Sequence, residues 1–355
     1  MVGAGQLARM TQQAAIALGV DLRVLAAAAD DPAAQVVTDT WVGGAMAAFA
    51  EGCDVVTFDH ELVDPVAVAA LDHAAPPAAA LRLAADKGEG RRRLDEAGFP
   101  VPAWALVDGP DTVRSFGAKW GWPLVLKTVR GGYDGRGVWV VADEAEAAAV
   151  VAGGADLLVE EHVAIDRELA VLVARRPGGE AVAWPTVETV QVDGICREVL
   201  VPVDRPEATA LGLAVAEAIG VVGVLAVELF EAGGRLLVNE LATRPHNSGH
   251  WTIEGAATSQ FENHLRAVLD LPLGATEARA PAAAMVNVLG DPTSTDPRSR
   301  LAAALATGGD VHVHLYGKAP RPGRKLGHVT ALGQDPAEVR ARARLVAAAL
   351  GGAAL

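Results

Sequence analysis

Cysteine, aromatic residues and positive charge are all scarce in this chain. Its 355 residues include two cysteines, Cys53 and Cys196, too few and too isolated for a disulfide framework or a zinc site, and they fit a reducing cytoplasm. Lysine and arginine total 30 against 44 acidic residues, a formal net charge of −14. That balance excludes a general nucleic-acid surface, which needs an extended basic patch. An anionic small ligand would need a local basic cluster instead. No apolar run reaches transmembrane length and no signal peptide is expected, so no membrane partner is indicated. The hydrophobic fraction of 51% is inflated by alanine, which adds little core volume. What is there is length enough for two or three domains with buried cores.

The chain is organised around residues 224–251. Two apolar runs, each broken by one carboxylate, Glu228 and Glu240, flank Gly233-Gly234, which predicts a hairpin of adjacent antiparallel strands. Strand side chains alternate faces, so the turn register decides whether the carboxylates meet. A three-residue loop, Ala232 to Gly234, pairs Glu228 with Val238 and leaves Glu240 diagonally adjacent on the same face; a four-residue loop separates them. In the first register the like charges repel unless a cation joins them, and a hard divalent ion, most simply magnesium, with manganese as a substitute, suits them. The alternation continues through Ala242 and Arg244 to His246, and Asn247 to Trp251 form a polar, turn-prone run that can offer donors to a ligand. A solvated edge hairpin is the competing reading.

At the start, Gly3-Ala4-Gly5-Gln6 resembles a glycine-rich strand-to-helix turn, with a helix predicted over 6–18 and a strand over 21–25. Only Met1 and Val2 precede it, so the first strand of a dinucleotide fingerprint is expected to be missing. A strand is predicted over 54–58, ending in Asp59-His60-Glu61, at the position where α/β sheets bind ligands. A charged helix is expected from Lys87 to about Ala97, stopped by Gly98 and Pro100. Strand 123–127 ends in Lys127. Gly131-Gly132-Tyr133-Asp134-Gly135-Arg136-Gly137 follows, with four glycines in seven residues, before a strand over 138–141. Such a loop lets backbone amides approach phosphates, although it is no P-loop; a bare hairpin is the bland alternative. Glu160 and Glu161 end another strand, and Glu168 opens the next. These acids could accept from an adenine amino group and a ribose diol, with the Val163 amide as donor. Lys318, Arg321, Arg324, Lys325 and His328 concentrate positive charge near the end, a candidate anion site or else a solvated basic loop.

Taken together, these motifs resemble the ATP-grasp superfamily. Within it, Arg-Pro-His-Asn-Ser-Gly-His at 244–250, Tyr-Asp-Gly-Arg-Gly at 133–137, Phe-Asp-His-Glu at 58–61 and Arg-Pro-Gly-Arg-Lys-x-Gly-His at 321–328 are similar to the 5-(carboxyamino)imidazole ribonucleotide synthase family of purine biosynthesis. The resemblance implies a mixed α/β and α+β architecture. A Rossmann-like domain would cover 1–85, an ATP-grasp domain 86–272 with its lid at about 100–160, and a small carboxyl-terminal domain 273–355. It implies that Lys87 and Lys127 hold ATP phosphates under a flap of Gly132, Tyr133, Asp134, Gly135, Arg136, Gly137 and Val138. Glu160, Glu161, His162 and Val163 would read adenine, Glu168 the ribose, and Asn239 would lie against the nucleotide. Gln191 stands where the family often has histidine. Glu228 and Glu240 would bind the metal. Arg244, His246 and Asn247, with Tyr133, Asp134 and Arg136, would surround bicarbonate and the reacting amine. Lys318, Arg324, Ser248 and Glu61 would bind aminoimidazole ribonucleotide. A cytoplasmic homodimer is expected. The alternatives are another ATP-grasp carboxylate-amine ligase, such as a formate-using glycinamide ribonucleotide transformylase, a catalytically impaired relative, or a nicotinamide-dependent oxidoreductase. The last requires a complete fingerprint and no paired glutamates.

Overall fold

The computed structural model describes residues 1–132, 135–293 and 295–351. Tyr133 and Asp134, both expected at the site, lie outside the described residues. Among the described residues, no helix is long and apolar enough to cross a membrane.

The amino-terminal part holds the expected helix, Gln6–Leu18, and a parallel strand pair, Arg23–Ala26 with Asp39–Val42. As expected, among the described residues no strand precedes that helix, and a single bridging residue stands in its place. Val2 sits between Leu25 and Phe58 with parallel bridges to both, its amide donating to Thr57 O at 2.7 Å. A single residue therefore does the central strand's job. The strand predicted over 54–58 is likewise reduced to bridges at Val56 and Phe58. Phe49, Val56 and Phe58, all buried, supply the apolar contact that holds these short pieces together.

A four-stranded antiparallel sheet follows, ordered Trp104–Val107, Leu157–Glu161, Leu124–Thr128, Val138–Val141. Period-two alternation divides its faces. Leu124, Leu126 and Val159 pack against Val113 and Phe116 of helix Pro110–Trp120 and Ala147 of helix Glu144–Val151. Val125, Lys127, Val140 and Glu160 turn instead to a large cavity.

Across that cavity lies a nine-stranded sheet. It runs from the edge strand Arg235–Ala242 through Gly223–Ala232, Arg167–Arg175, Val187–Val192, Ile195–Val201, Ala282–Leu289 and Lys325–Gly333 to Val311–Leu315, with Ala181–Ala183 alongside. Leu169, Val171, Val173, Leu225 and Val227 form one buried face, packed with Ala208, Val215 and Ala216 of helix Pro206–Ile219. The opposite face carries Ala170, Leu172 and Val224, buried with Trp184 and Trp251. Glu168, Glu228 and Phe230 continue that second face outward into the cavity.

The hairpin register differs from the expected one. Ala232 pairs with Arg235, leaving a two-residue turn of Gly233 and Gly234, not a three-residue loop. Both glycines have positive φ, 55° and 75°, the conformation of the turn whose twist matches that of paired strands. In that register Glu228 would face Asn239, and Glu240 would point to the other side. A bulge restores the match: Leu229 pairs with Val238, Glu228 pairs with Glu240, and Asn239 is the extra residue.

Candidate active site

The cavity between the two sheets has a volume of about 1140 Å³, large enough for a nucleotide and a second substrate. Lys87 opens the helix Lys87–Glu96, whose N-cap Asp86 accepts from the Glu89 amide at 2.9 Å. Its ammonium is ion-paired with Glu240. Lys127, at the end of its strand, lies 2.6 Å from Glu160 Oε2 and donates to Asn239 Oδ1 at 3.0 Å. Arg91, which sequence reasoning missed, takes the other oxygen of Glu160. Four residues after Lys87, it shares that residue's helix face, the one signal that could have found it.

Glu160 is 2% exposed. Burial alone would push its carboxyl up, but Lys127 and Arg91 hold it below the usual carboxylate range. Its carboxylate is thus committed to two cations. That of Glu161 accepts from the Ala103 amide at 2.8 Å. His162 and Val163 line the cavity beside them. Each of the two acidic side chains expected to meet adenine thus has a protein partner in this structure.

Glu168 stands on the strand next to Glu228, one pair further along on the same face. Burial, and then the neighbouring Glu228, push its carboxyl up to about 7, against the pull of Lys127. The folded protein therefore binds this proton more tightly than the unfolded chain, and stability from this group is lost as pH rises from 4.5 towards 7. Glu168→Gln should melt above the wild type at pH 8, with the difference vanishing near pH 5. An equal difference at both values, in thermal melts across that range, would remove Glu168 as its source.

Glu228 is pushed up by burial but drawn below the usual range by His246, whose Nε2 lies 3.2 Å from Glu228 Oε1. Ser248, expected to face a ligand, is buried and meets His246 Nδ1 at 2.9 Å. Gln260, also missed, brackets the same residue: its Oε1 accepts from the His246 amide at 2.8 Å and its Nε2 donates to His246 O at 2.7 Å. Asn247 lines the cavity. Arg244 Nε donates to Glu61 Oε2 at 2.9 Å, tying the hairpin to the amino-terminal part.

Lys318, Arg324 and Lys325 line the same cavity, as do Gln191, Gly132, Gly135, Arg136 and Val138. Gly137, at the base of the glycine loop, accepts through its carbonyl from the Thr128 amide at 2.8 Å.

Directly paired Glu228 and Glu240 offer hard carboxylate oxygens of the kind that magnesium or manganese takes. Among the described residues no three His, Cys, Asp or Glu side chains are already gathered as a ligand cluster. Two protein carboxylates with the remaining positions left to phosphate and water match magnesium's habit at nucleotide sites. The amino-terminal glycine turn is different. Asp59 accepts from the Gly5 amide at 2.5 Å and the Ala8 amide at 3.0 Å, occupying the helix N-terminus where a dinucleotide's pyrophosphate would sit. A Cβ on Gly5 would collide with that carboxylate.

Residues 1–85 match the ribonucleotide synthetase preATP-grasp domain, residues 92–261 the ATP-grasp domain, and residues 283–342 the phosphoribosylaminoimidazole carboxylase C-terminal domain. N5-carboxyaminoimidazole ribonucleotide synthase of Mycobacterium tuberculosis (strain ATCC 25618 / H37Rv) is 52% identical over 98% of this chain and 86% of its own length. This chain belongs to the N5-carboxyaminoimidazole ribonucleotide synthase family. It is an ATP-grasp ligase, as the motifs imply. The relative from Corynebacterium ammoniagenes is 46% identical over 98% of this chain and 90% of its own. Among solved structures, the synthetase of Thermus thermophilus superposes with a TM-score of 0.87 at 38% identity, over 99% of this chain and 98% of that one. The Aspergillus clavatus synthase in complex with ADP and 5-aminoimidazole ribonucleotide does so with 0.89 at 32% identity, over the same shares. The oxidoreductase alternative falls with these findings and with the Asp59 cap.

Proposed function

We propose that this protein couples ATP cleavage to carboxylation of 5-aminoimidazole ribonucleotide by bicarbonate, giving 5-(carboxyamino)imidazole ribonucleotide, ADP and phosphate. The observation that carries the reading is one cavity bringing Lys87, Lys127 and the Glu228–Glu240 pair together with Arg244, His246 and the basic run at 318–325. Cations and paired carboxylates suit the triphosphate end of ATP; the second cationic group suits a phosphorylated acceptor. A bicarbonate oxygen attacks the γ-phosphorus, ADP leaves, and carboxyphosphate forms. The exocyclic amine then attacks its carbonyl carbon, or carbon dioxide released from it, and phosphate and a proton depart. Magnesium held by Glu228 and Glu240 would offset charge on the phosphates.

In this reading the main chain at 161–163 meets adenine, Glu168 the ribose, and Asn239 the nucleotide. Arg244, His246, Asn247 and Arg136 surround the carboxylating centre, where excluded water protects carboxyphosphate. Lys318 and Arg324 take the ribonucleotide phosphate. The division into three domains near residues 85 and 272, the homodimer and the cytoplasmic location belong to the same reading.

The test is ADP release with 5-aminoimidazole ribonucleotide, bicarbonate and MgATP, omitting one at a time. All three should be required, and formate should not replace bicarbonate. Lys318→Ala should raise KM for the ribonucleotide about tenfold to a hundredfold, the cost of one charge-assisted hydrogen bond to phosphate, and leave KM for ATP nearly unchanged. Full activity with formate, or equal weakening of both substrates, would overturn the corresponding assignment.

A further inference from the structure

Glu240 faces Glu228 only because Asn239 is an extra residue in its strand. Something must hold that irregularity, since Arg235–Ala242 is the edge strand of its sheet and, among the described residues, has no strand on its outer side. Successive carbonyls of a regular strand point to opposite sides, so two adjacent ones cannot meet one donor group. At this bulge they do. One guanidinium nitrogen of Arg91 donates to Val238 O at 2.5 Å and another donates to Asn239 O at 3.0 Å. The Val238 amide is also turned outward, donating to Pro100 O at 2.7 Å. Arg91 is 5% exposed, and its charge is answered by Glu160, which in turn holds Lys127.

We propose that Arg91 is a positioning residue whose planar fork clamps the bulge at Asn239 and thereby sets Glu240 opposite Glu228. The inference rests on the reading of those two glutamates as the divalent-ion site. Its chemistry requires arginine. A lysine at 91 keeps a positive charge for Glu160, but a compact ammonium lacks the rigid pair of donors that holds two carbonyls at a fixed separation. Without the clamp the edge strand can return to a regular ladder, and Glu240 turns to the opposite face.

The experiment uses the full chain with manganese and ADP, reading free Mn2+ by electron paramagnetic resonance, alongside ADP binding without metal and KM for 5-aminoimidazole ribonucleotide. Arg91→Lys should melt like the wild type, bind ADP alone unchanged and keep KM for the ribonucleotide within about twofold. Its affinity for Mn2+ in the presence of ADP should fall about tenfold or more, the scale of losing one charge-assisted hydrogen bond. Arg91→Met should be at least as weak in manganese. Glu228→Gln is the reference. If it binds Mn2+ like the wild type, the metal-site reading itself fails. If it is weakened while Arg91→Lys is not, the metal site stands and the positioning role of Arg91 is overturned. Loss of fold in Arg91→Lys, or equal loss of ADP binding without metal, would make Arg91 a general structural residue and likewise overturn the proposal.

Discussion

Glu240→Gln is expected to lower turnover by about a thousandfold at saturating substrates while leaving the melting temperature close to that of the wild type. Glutamine keeps the shape of the side chain but removes one negative charge from the Glu228–Glu240 pair proposed to hold the metal, and the counter-charge of Lys87. A metal that polarises a transferring phosphoryl group supplies several kcal/mol to the transition state, and about 4 kcal/mol corresponds to about a thousandfold in rate. Glu228→Gln should behave similarly, and it also removes the partner that His246 meets at 3.2 Å. The decisive measurement is kcat against magnesium concentration, accompanied by magnesium-dependent thermal stabilisation in the presence of ADP. Near-normal rates at high magnesium in either variant would sink the metal assignment.

Arg244→Met should destabilise the protein by about 1–3 kcal/mol, the cost of leaving a half-buried polar group without its partner. Glu61 accepts from Arg244 Nε at 2.9 Å, and its other oxygen is buried with no hydrogen-bond partner among the described residues. Losing Arg244 leaves that carboxylate uncompensated between the amino-terminal part and the hairpin. The double variant Glu61→Gln, Arg244→Met should recover most of the stability, because the stranded charge is gone. It should not recover carboxylation, since Arg244 lines the proposed carboxylating centre. Denaturant unfolding and ADP release, measured on the wild type and both variants, separate the two effects. A double variant no more stable than Arg244→Met would refute the ion-pair argument, and one with restored activity would remove Arg244 from the chemistry.

The sequence by itself determined the elements that carry the site. Alternation of apolar residues around Glu228 and Glu240, the Gly-Gly turn, the strand ending in Lys127 and the charged helix beginning at Lys87 are local patterns, and each became the expected element. The residue types were equally legible, because phosphate, adenine and a divalent ion ask for particular donors and acceptors. Tertiary structure decided which of those groups meet each other. The turn is one residue tighter than expected and the bulge adds one residue to the second strand; both move the partner of Glu228 the same way, from Val238 past Asn239 to Glu240, and leave the two glutamates face to face. Glu160 is drawn inward by Lys127 and Arg91, Glu61 by Arg244, and Asp59 onto the amides of Gly5 and Ala8. Those contacts join residues between 33 and 183 positions apart. No local periodicity encodes them, because a buried carboxylate takes whichever cation or amide the packing of distant strands leaves within reach.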